Sequence, residues 1–196
     1  SRSAVLMGIQ SLALDAEGEY TIVAESLGGI NVVISPTSKT VINLFDIEPE
    51  NIRDEITGRT RSILNVESKV EDVTQALITM ARGSTRTEEV NELTKQIIAE
   101  AVAEEYADRG ITSNPMSLYE SSSSTQNAFE KRRKEMPTIG SWYKRIEKNA
   151  KENTNVDYDF HYSYLLKVMK QYIREFEGQM AYFDGQSTFD LLDGAP

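Results

Sequence analysis

Cysteine is absent from the 196 residues, which excludes disulfide scaffolds, thiolate metal sites and cysteine nucleophiles together. A single histidine, His161, rules out a multi-histidine zinc site and argues against a histidine-based triad. Basic residues are outnumbered, 21 Lys+Arg against 31 Asp+Glu, and the formal net charge of −10 does not suit a surface that grips phosphate backbones. No apolar run approaches the roughly 20 residues of a membrane-spanning helix. The start, Ser1-Arg2-Ser3-Ala4, lacks the apolar stretch of a signal peptide, so a cytoplasmic protein, or part of one, is expected. Also missing are a phosphate loop of the form Gly-x4-Gly-Lys-Ser/Thr, a Gly-x-Gly-x-x-Gly turn, a Gly-x-Ser-x-Gly elbow and a His-Glu-x-x-His helix. What remains is globular in composition, 39% hydrophobic and 8% aromatic. The length suits one domain, or one with an appendage, able to bury a core without staples.

The patterning divides the chain into a partial α/β portion, residues 1–50, and a helical portion, residues 51–196. Ile9-Gln10-Ser11-Leu12-Ala13-Leu14 reads as a buried strand ending at Asp15. Residues 19–27 suit a short helix stopped by Gly28-Gly29, since glycine enters the left-handed region without a Cβ clash. Ile30-Asn31-Val32-Val33-Ile34 reads as a β-branched strand, giving the order of a parallel βαβ unit. Val41-Ile42-Asn43-Leu44-Phe45 is too short to assign. From about Arg59 the period becomes helical, with Ile63, Val66, Val70, Val73, Leu77 and Met80 on one face and Gly83 as terminator. Thr85 and Glu88 have capping-box spacing before a second helix lined by Val90, Leu93, Ile97, Ala101 and Tyr106 and closed by Gly110. The two form an expected antiparallel hairpin.

Residues 120–135 contain a serine run and read as a mobile loop. Pro137 suits the first position of a helix carrying Ile139, Trp142 and Ile146, broken at Asn153 and Thr154. A last helix carries Phe160, Leu165, Val168, Met169, Tyr172, Ile173 and Phe176 as a core stripe and ends at Gly178; residues 180–187 read as a strand and turn. The expected fold is therefore mostly α with a small α/β part.

One constellation could carry chemistry. Asp15, Glu17 and Glu19 follow the end of an apolar strand, where ligands of open α/β sheets collect. In extended geometry the three would share one face, and such carboxylates need a divalent cation, a basic group or raised pKa values to coexist. Oxygen ligands alone favour Mg²⁺ or Ca²⁺. A solvated acidic turn at a helix N-terminus fits the same residues. Lys131-Arg132-Arg133-Lys134, flanked by Glu130 and Glu135, reads as solvated loop charge rather than a nucleic-acid patch. His161 reads as an ordinary half-buried histidine and Trp142 as an ordinary packing residue.

The ordered series Leu12-Ala13-Leu14-Asp15-Ala16-Glu17-Gly18-Glu19-Tyr20, Leu27-Gly28-Gly29, Ile34-Ser35-Pro36 and Ile42-Asn43-Leu44-Phe45-Asp46 resembles the large conjugative-transfer ATPases of type IV secretion systems. This is the VirB/TraC-type family of the FtsK/HerA-like P-loop superfamily. Gly110-Ile111-Thr112, Met136-Pro137-Thr138 and Phe183-Asp184-Gly185-Gln186-Ser187 extend the resemblance over most of the chain. Ala16 and Leu44 stand where that family usually has proline. The resemblance implies an internal piece of the ATPase domain, after the phosphate loop and before the Walker B strand: a rim of the nucleotide-binding sheet followed by an inserted helical subdomain. It further implies ATP and Mg²⁺ as cofactors of a bacterial, cytoplasmic parent at the inner face of the membrane. Asp15, Glu17 and Glu19 would lie near the nucleotide and metal, with secretion and conjugation proteins, or further copies, as partners. The piece alone is expected to be non-catalytic and to bind neither cofactor tightly. The alternative is a stand-alone acidic helical protein-interaction domain.

Overall fold

A computed structural model describes residues 15, 17–29, 31–35, 39–53, 58–83, 90–120 and 132–188. It is mostly helical with a small β part, as the patterning predicts. The expected strand at residues 9–14, the capping pair Thr85 and Glu88, and most of the loop expected at 120–135 lie outside the described residues.

After the short helix α1 (Thr21–Ser26), the sheet consists of β1 (Glu50–Arg53) and β2 (Thr60–Ile63), paired antiparallel with Glu50 opposite Ile63 and Arg53 opposite Thr60. The second strand of the expected parallel unit is not formed, and its first lies outside the described residues. Residues 31–34 form no strand, and Val33 and Ile34 lie 58% and 45% exposed, so β-branched composition there is not matched by a ladder partner. Ile63, assigned by its spacing to a helix, ends β2 instead. The helix starts three residues later because Asn65 caps it, its side chain accepting from Ser68 N at 3.2 Å.

Four long helices make the body: α2 (Val66–Arg82), α3 (Glu92–Asp108), α4 (Ile139–Glu152) and α5 (Val156–Val168). The N–H of Leu64, just ahead of α2, donates to Ser113 O, just beyond α3, at 3.0 Å; the start of one helix thus meets the end of the other, and the hairpin is antiparallel. Gly110, at φ +64, closes α3. Ile111 N donates to Tyr106 O and Gly110 N to Ala107 O, a Schellman closure that also buries Ile111 beside Tyr106.

Pro137 stands one residue ahead of the N-cap of α4, not inside the helix. Thr138 and Ser141 cap each other, Ser141 N donating to Thr138 Oγ1 at 3.1 Å and Thr138 N to Ser141 Oγ at 3.0 Å. The final stripe does not run on as one helix. α5 gives way to 3₁₀ turns at Met169–Tyr172 and Arg174–Phe176, with Glu177 left-handed at φ 52. Residues 181–183, expected as strand, are a further 3₁₀ turn.

The core gathers Phe45, Leu77, Ile98, Ile139, Trp142, Ile146, Leu165 and Met169, all fully buried. Residues 41–47 enter it from outside the helices. Val41, Asn43, Phe45 and Ile47 are buried while the residues between them are half-buried, with a turn at Asn43–Asp46 closed by Asp46 N donating to Asn43 O at 3.3 Å. Tyrosine hydroxyls stitch the layers: Tyr106 donates to Phe45 O at 2.7 Å, Tyr143 to Leu166 O at 2.9 Å and Tyr164 to Ala81 O at 2.8 Å. Each ties a tyrosine ring to a backbone carbonyl of another element.

Candidate functional site

The acidic segment is a turn rather than an extended strand end. Gly18 sits at φ +76, and the Asp15 carboxylate folds back on the backbone that follows. It accepts from Tyr20 N at 2.7 Å, Gly18 N at 2.9 Å and Glu17 N at 3.2 Å. These bonds, that of Tyr20 foremost, hold its carboxyl below the ordinary aspartate range. Glu17 and Glu19 are exposed beside it, so the three carboxylates do not converge. Among the described residues no group of three acidic or histidine side chains could hold a metal ion, and Asp15 has already committed both oxygens to its own turn.

α1 follows and ends in another Schellman closure, with Gly29 N donating to Ala24 O at 2.8 Å and Gly28 N to Glu25 O at 3.1 Å. Gly28 takes φ +75, as the sequence requires of it.

A second constellation is built by three stretches that are distant in sequence. Asn43 donates from Nδ2 to Pro137 O at 2.8 Å, accepts from Phe45 N at 3.1 Å, and its own N–H donates to Ser187 Oγ at 2.9 Å. Gln186 reads both backbone groups of Met136, accepting from its N–H at 3.2 Å and donating to its carbonyl at 2.8 Å. Asp184, nearly buried, accepts from Gly140 N at 2.8 Å and Arg174 N at 2.9 Å. Its charge therefore lies in the first turn of α4, where the helix dipole favours it. A Cβ on Gly140 would stand 2.6 Å from Asp184 Oδ1, so the second residue of this helix has to be glycine for the carboxylate to approach. The stretches at 42–46, 136–138 and 183–187 thus form one polar knot, and each was singled out above for its resemblance.

The basic run is also structural where it is described. Arg133 donates to Ile47 O at 2.8 Å and pairs with Glu48 at 2.5 Å; Lys134 donates to Arg109 O, past the end of α3, at 2.7 Å. Tyr119 and Arg133 form an antiparallel bridge, so residues 132–134 of the segment expected to be mobile are tied down.

A charged network between α3 and α4 was not apparent from the sequence. Buried Glu105 accepts from Arg145 Nε and Arg109 Nη1, each at 2.7 Å, and from Ser141 Oγ at 2.5 Å. Arg145 also reaches Asp108 at 2.5 Å and Glu104 at 3.3 Å, and its hydrogen bond holds the Asp108 carboxyl below its ordinary range. Glu105 and Arg109 are four residues apart, the spacing of a helical ion pair, but nothing local announces Arg145.

His161 is buried on α5 rather than half-buried, its Nδ1 sharing a 2.8 Å hydrogen bond with Thr94 Oγ1 of α3, and Trp142 is fully buried, as expected of a packing residue. Two depressions flank α2. One, about 200 Å³, is lined by Asp46, Glu48, Glu50, Asp72 and Lys69, and burial holds the Lys69 amine below its ordinary range against the pull of Asp72 and Asp46. The other, about 370 Å³, is apolar and lies between Val66 and Val70 of α2 and Ala103 and Ala107 of α3. No described helix is long and apolar enough to cross a membrane. No family model, curated protein or solved structure matches this chain.

Proposed function

We propose that this chain is a non-catalytic part of an ATPase that drives conjugative DNA transfer or type IV secretion in bacteria, with the parent on the cytoplasmic face of the inner membrane. The observation that carries this reading is the polar knot. The three stretches that supply much of the resemblance, 42–46, 136–138 and 183–187, are bonded to one another through Asn43 and Gln186, and Asp184 ties the last of them to Gly140 in the first turn of α4. Meeting in one place is what an architecture built on those three motifs requires of them.

In this reading residues 41–188 form a helical module for contact with other secretion proteins, and the acidic turn with α1 belongs to the nucleotide domain. ATP and Mg²⁺ are the cofactors of the parent. Among the described residues the carboxylates do not compose a metal site, and Asp15 is committed to backbone N–H groups while Glu17 and Glu19 are exposed. Asp15 is therefore a positioning residue for the turn, and Glu17 and Glu19 are the groups left to face a ligand.

The test compares Mg²⁺-dependent ATP hydrolysis by the 196-residue chain and by the same chain extended at both ends to span a phosphate loop and a Walker B strand. Turnover only by the extended protein, reduced at least tenfold by Glu17→Ala or Glu19→Ala, is expected. Turnover by the short chain, or none by either, overturns the reading.

A further inference from the structure

Helix α5 carries apolar and aromatic residues on both sides, yet only His161 and Leu165 are buried. Its outward stripe is Val156, Phe160, Ser163 and Lys167, spaced by four, three and four residues, and all four are exposed. Val156 is 79% and Phe160 57% exposed, two apolar side chains one turn apart on the same stripe. The ring of Phe160 stacks on Tyr164 at 6.4 Å, which presents it as a fixed ridge. Steps of four and three are those of a helix that packs along another helix.

The stripe also has direction. Asp157 and Asp159 stand in its first turn and Lys167 in its last. Laid against its own reversed copy, it sets Val156 and Asp157 beside the second Lys167, and the large Phe160 over the small Ser163. The charge match is between Asp157 and the second Lys167, the size match between Phe160 and Ser163, and Val156 lies along the apolar stem of the lysine. A parallel mate would oppose aspartate to aspartate, and any copy laid in the same sense would set phenylalanine on phenylalanine.

We propose that this face of α5 is the contact of a two-fold symmetric dimer of this chain, with the two helices antiparallel. The contact is isologous, so each charged pair occurs twice. Each copy carries −10, but at physiological salt that repulsion is screened beyond about 8 Å, and the short-range match decides. One helix pair lies below the standard interface size, so a dissociation constant of about 10–500 µM is expected. The inference does not depend on the proposed function.

Sedimentation equilibrium of the 196-residue chain, from about 10 µM to about 1 mM, which brackets that range, tests it. Phe160→Asp and Lys167→Glu are each expected to weaken dimerisation by about tenfold or more, with circular-dichroism melting to show that both remain folded. Asp157→Lys combined with Lys167→Glu exchanges the charges and is expected to restore the dimer. A monomer throughout, a dimer indifferent to Phe160→Asp, or failure of the exchanged pair to recover any affinity lost in Lys167→Glu overturns the proposal.

Discussion

Residues 17–35 and residues 41–188 are held by different means. In the first region Tyr20, Ile22, Val23, Val33 and Ile34 are exposed, and α1 buries no residue. Its order comes from contacts a few residues apart: Asp15 onto Gly18 and Tyr20, and Gly29 onto Ala24. In the second region comparable apolar residues, Phe45, Leu77, Ile98 and Ile146, are fully enclosed, and hydrogen bonds span much of the chain, as from Asn43 to Pro137 and Ser187. Capping chemistry therefore sets where a helix turns and stops without any core, but it contributes little stability, since a six-residue helix has hardly passed its nucleation cost.

The sharpest test of this contrast is truncation on both sides of it. Phe45→Ala removes a ring that is fully buried against Tyr106 and is expected to cost about 3–5 kcal/mol in urea unfolding. Ile22→Ala, at a site 78% exposed, is expected to stay within about 0.5 kcal/mol. Equal costs would mean that α1 packs against something in solution and would remove the distinction. Next comes Glu105→Ala, which takes the buried carboxylate from Arg145 and Arg109 while Arg145 keeps Asp108 and Glu104, and is expected to cost about 1–3 kcal/mol. A loss of under about 1 kcal/mol would place the network with ordinary surface ion pairs.

The helical body was legible because its signals are local and redundant. The periodic apolar residues of α2 and α3, with Gly83 and Gly110 after them, give existence, approximate extent and the antiparallel turn. Boundaries shifted where a cap overrode periodicity: Asn65 starts α2 beyond Ile63, and Thr138 starts α4 beyond Pro137. The β-hairpin was missed because both strands are exposed nearly throughout and so carry no alternation. The core stripe read into residues 160–176 was wrong at its ends, where Phe160 and Phe176 face outward, because helical spacing says which residues share a face but not whether that face is covered. The knot was quoted only as separate motifs. That Asn43, Asp184 and Gln186 reach Pro137, Gly140 and Met136 is a fact of tertiary placement with no local signature.

Smaller effects refine the same comparison. Asn43→Ala loses the bond to Pro137 O and the one from Phe45 N, and about 1–3 kcal/mol is expected, read again by urea unfolding; a neutral result would mean that the knot organises the loops without stabilising the body. The smallest effect is confined to the first region. Because the Asp15 carboxyl is held below its ordinary value of 3.8, its turn is complete above that pH and is lost as pH falls through the lower, folded-state value. The amide signals of Gly18 and Tyr20 are expected to titrate with a midpoint below 3.8, and Asp15→Asn to abolish the step. A midpoint at the ordinary value would show that the turn is open in water.

The bridge between Tyr119 and Arg133, with Glu120 N donating to Arg132 O at 2.9 Å, has a consequence for how the protein can vary. It clasps the chain on either side of residues 121–131, so the two strands leaving the body do so side by side. A connection that starts and finishes at one clasp can change length cheaply, each doubling adding only about 0.6 kcal/mol of closure entropy. The clasp therefore makes this the natural place for the chain to gain or lose residues, or to accept an inserted reporter, while α3 and α4 keep their register.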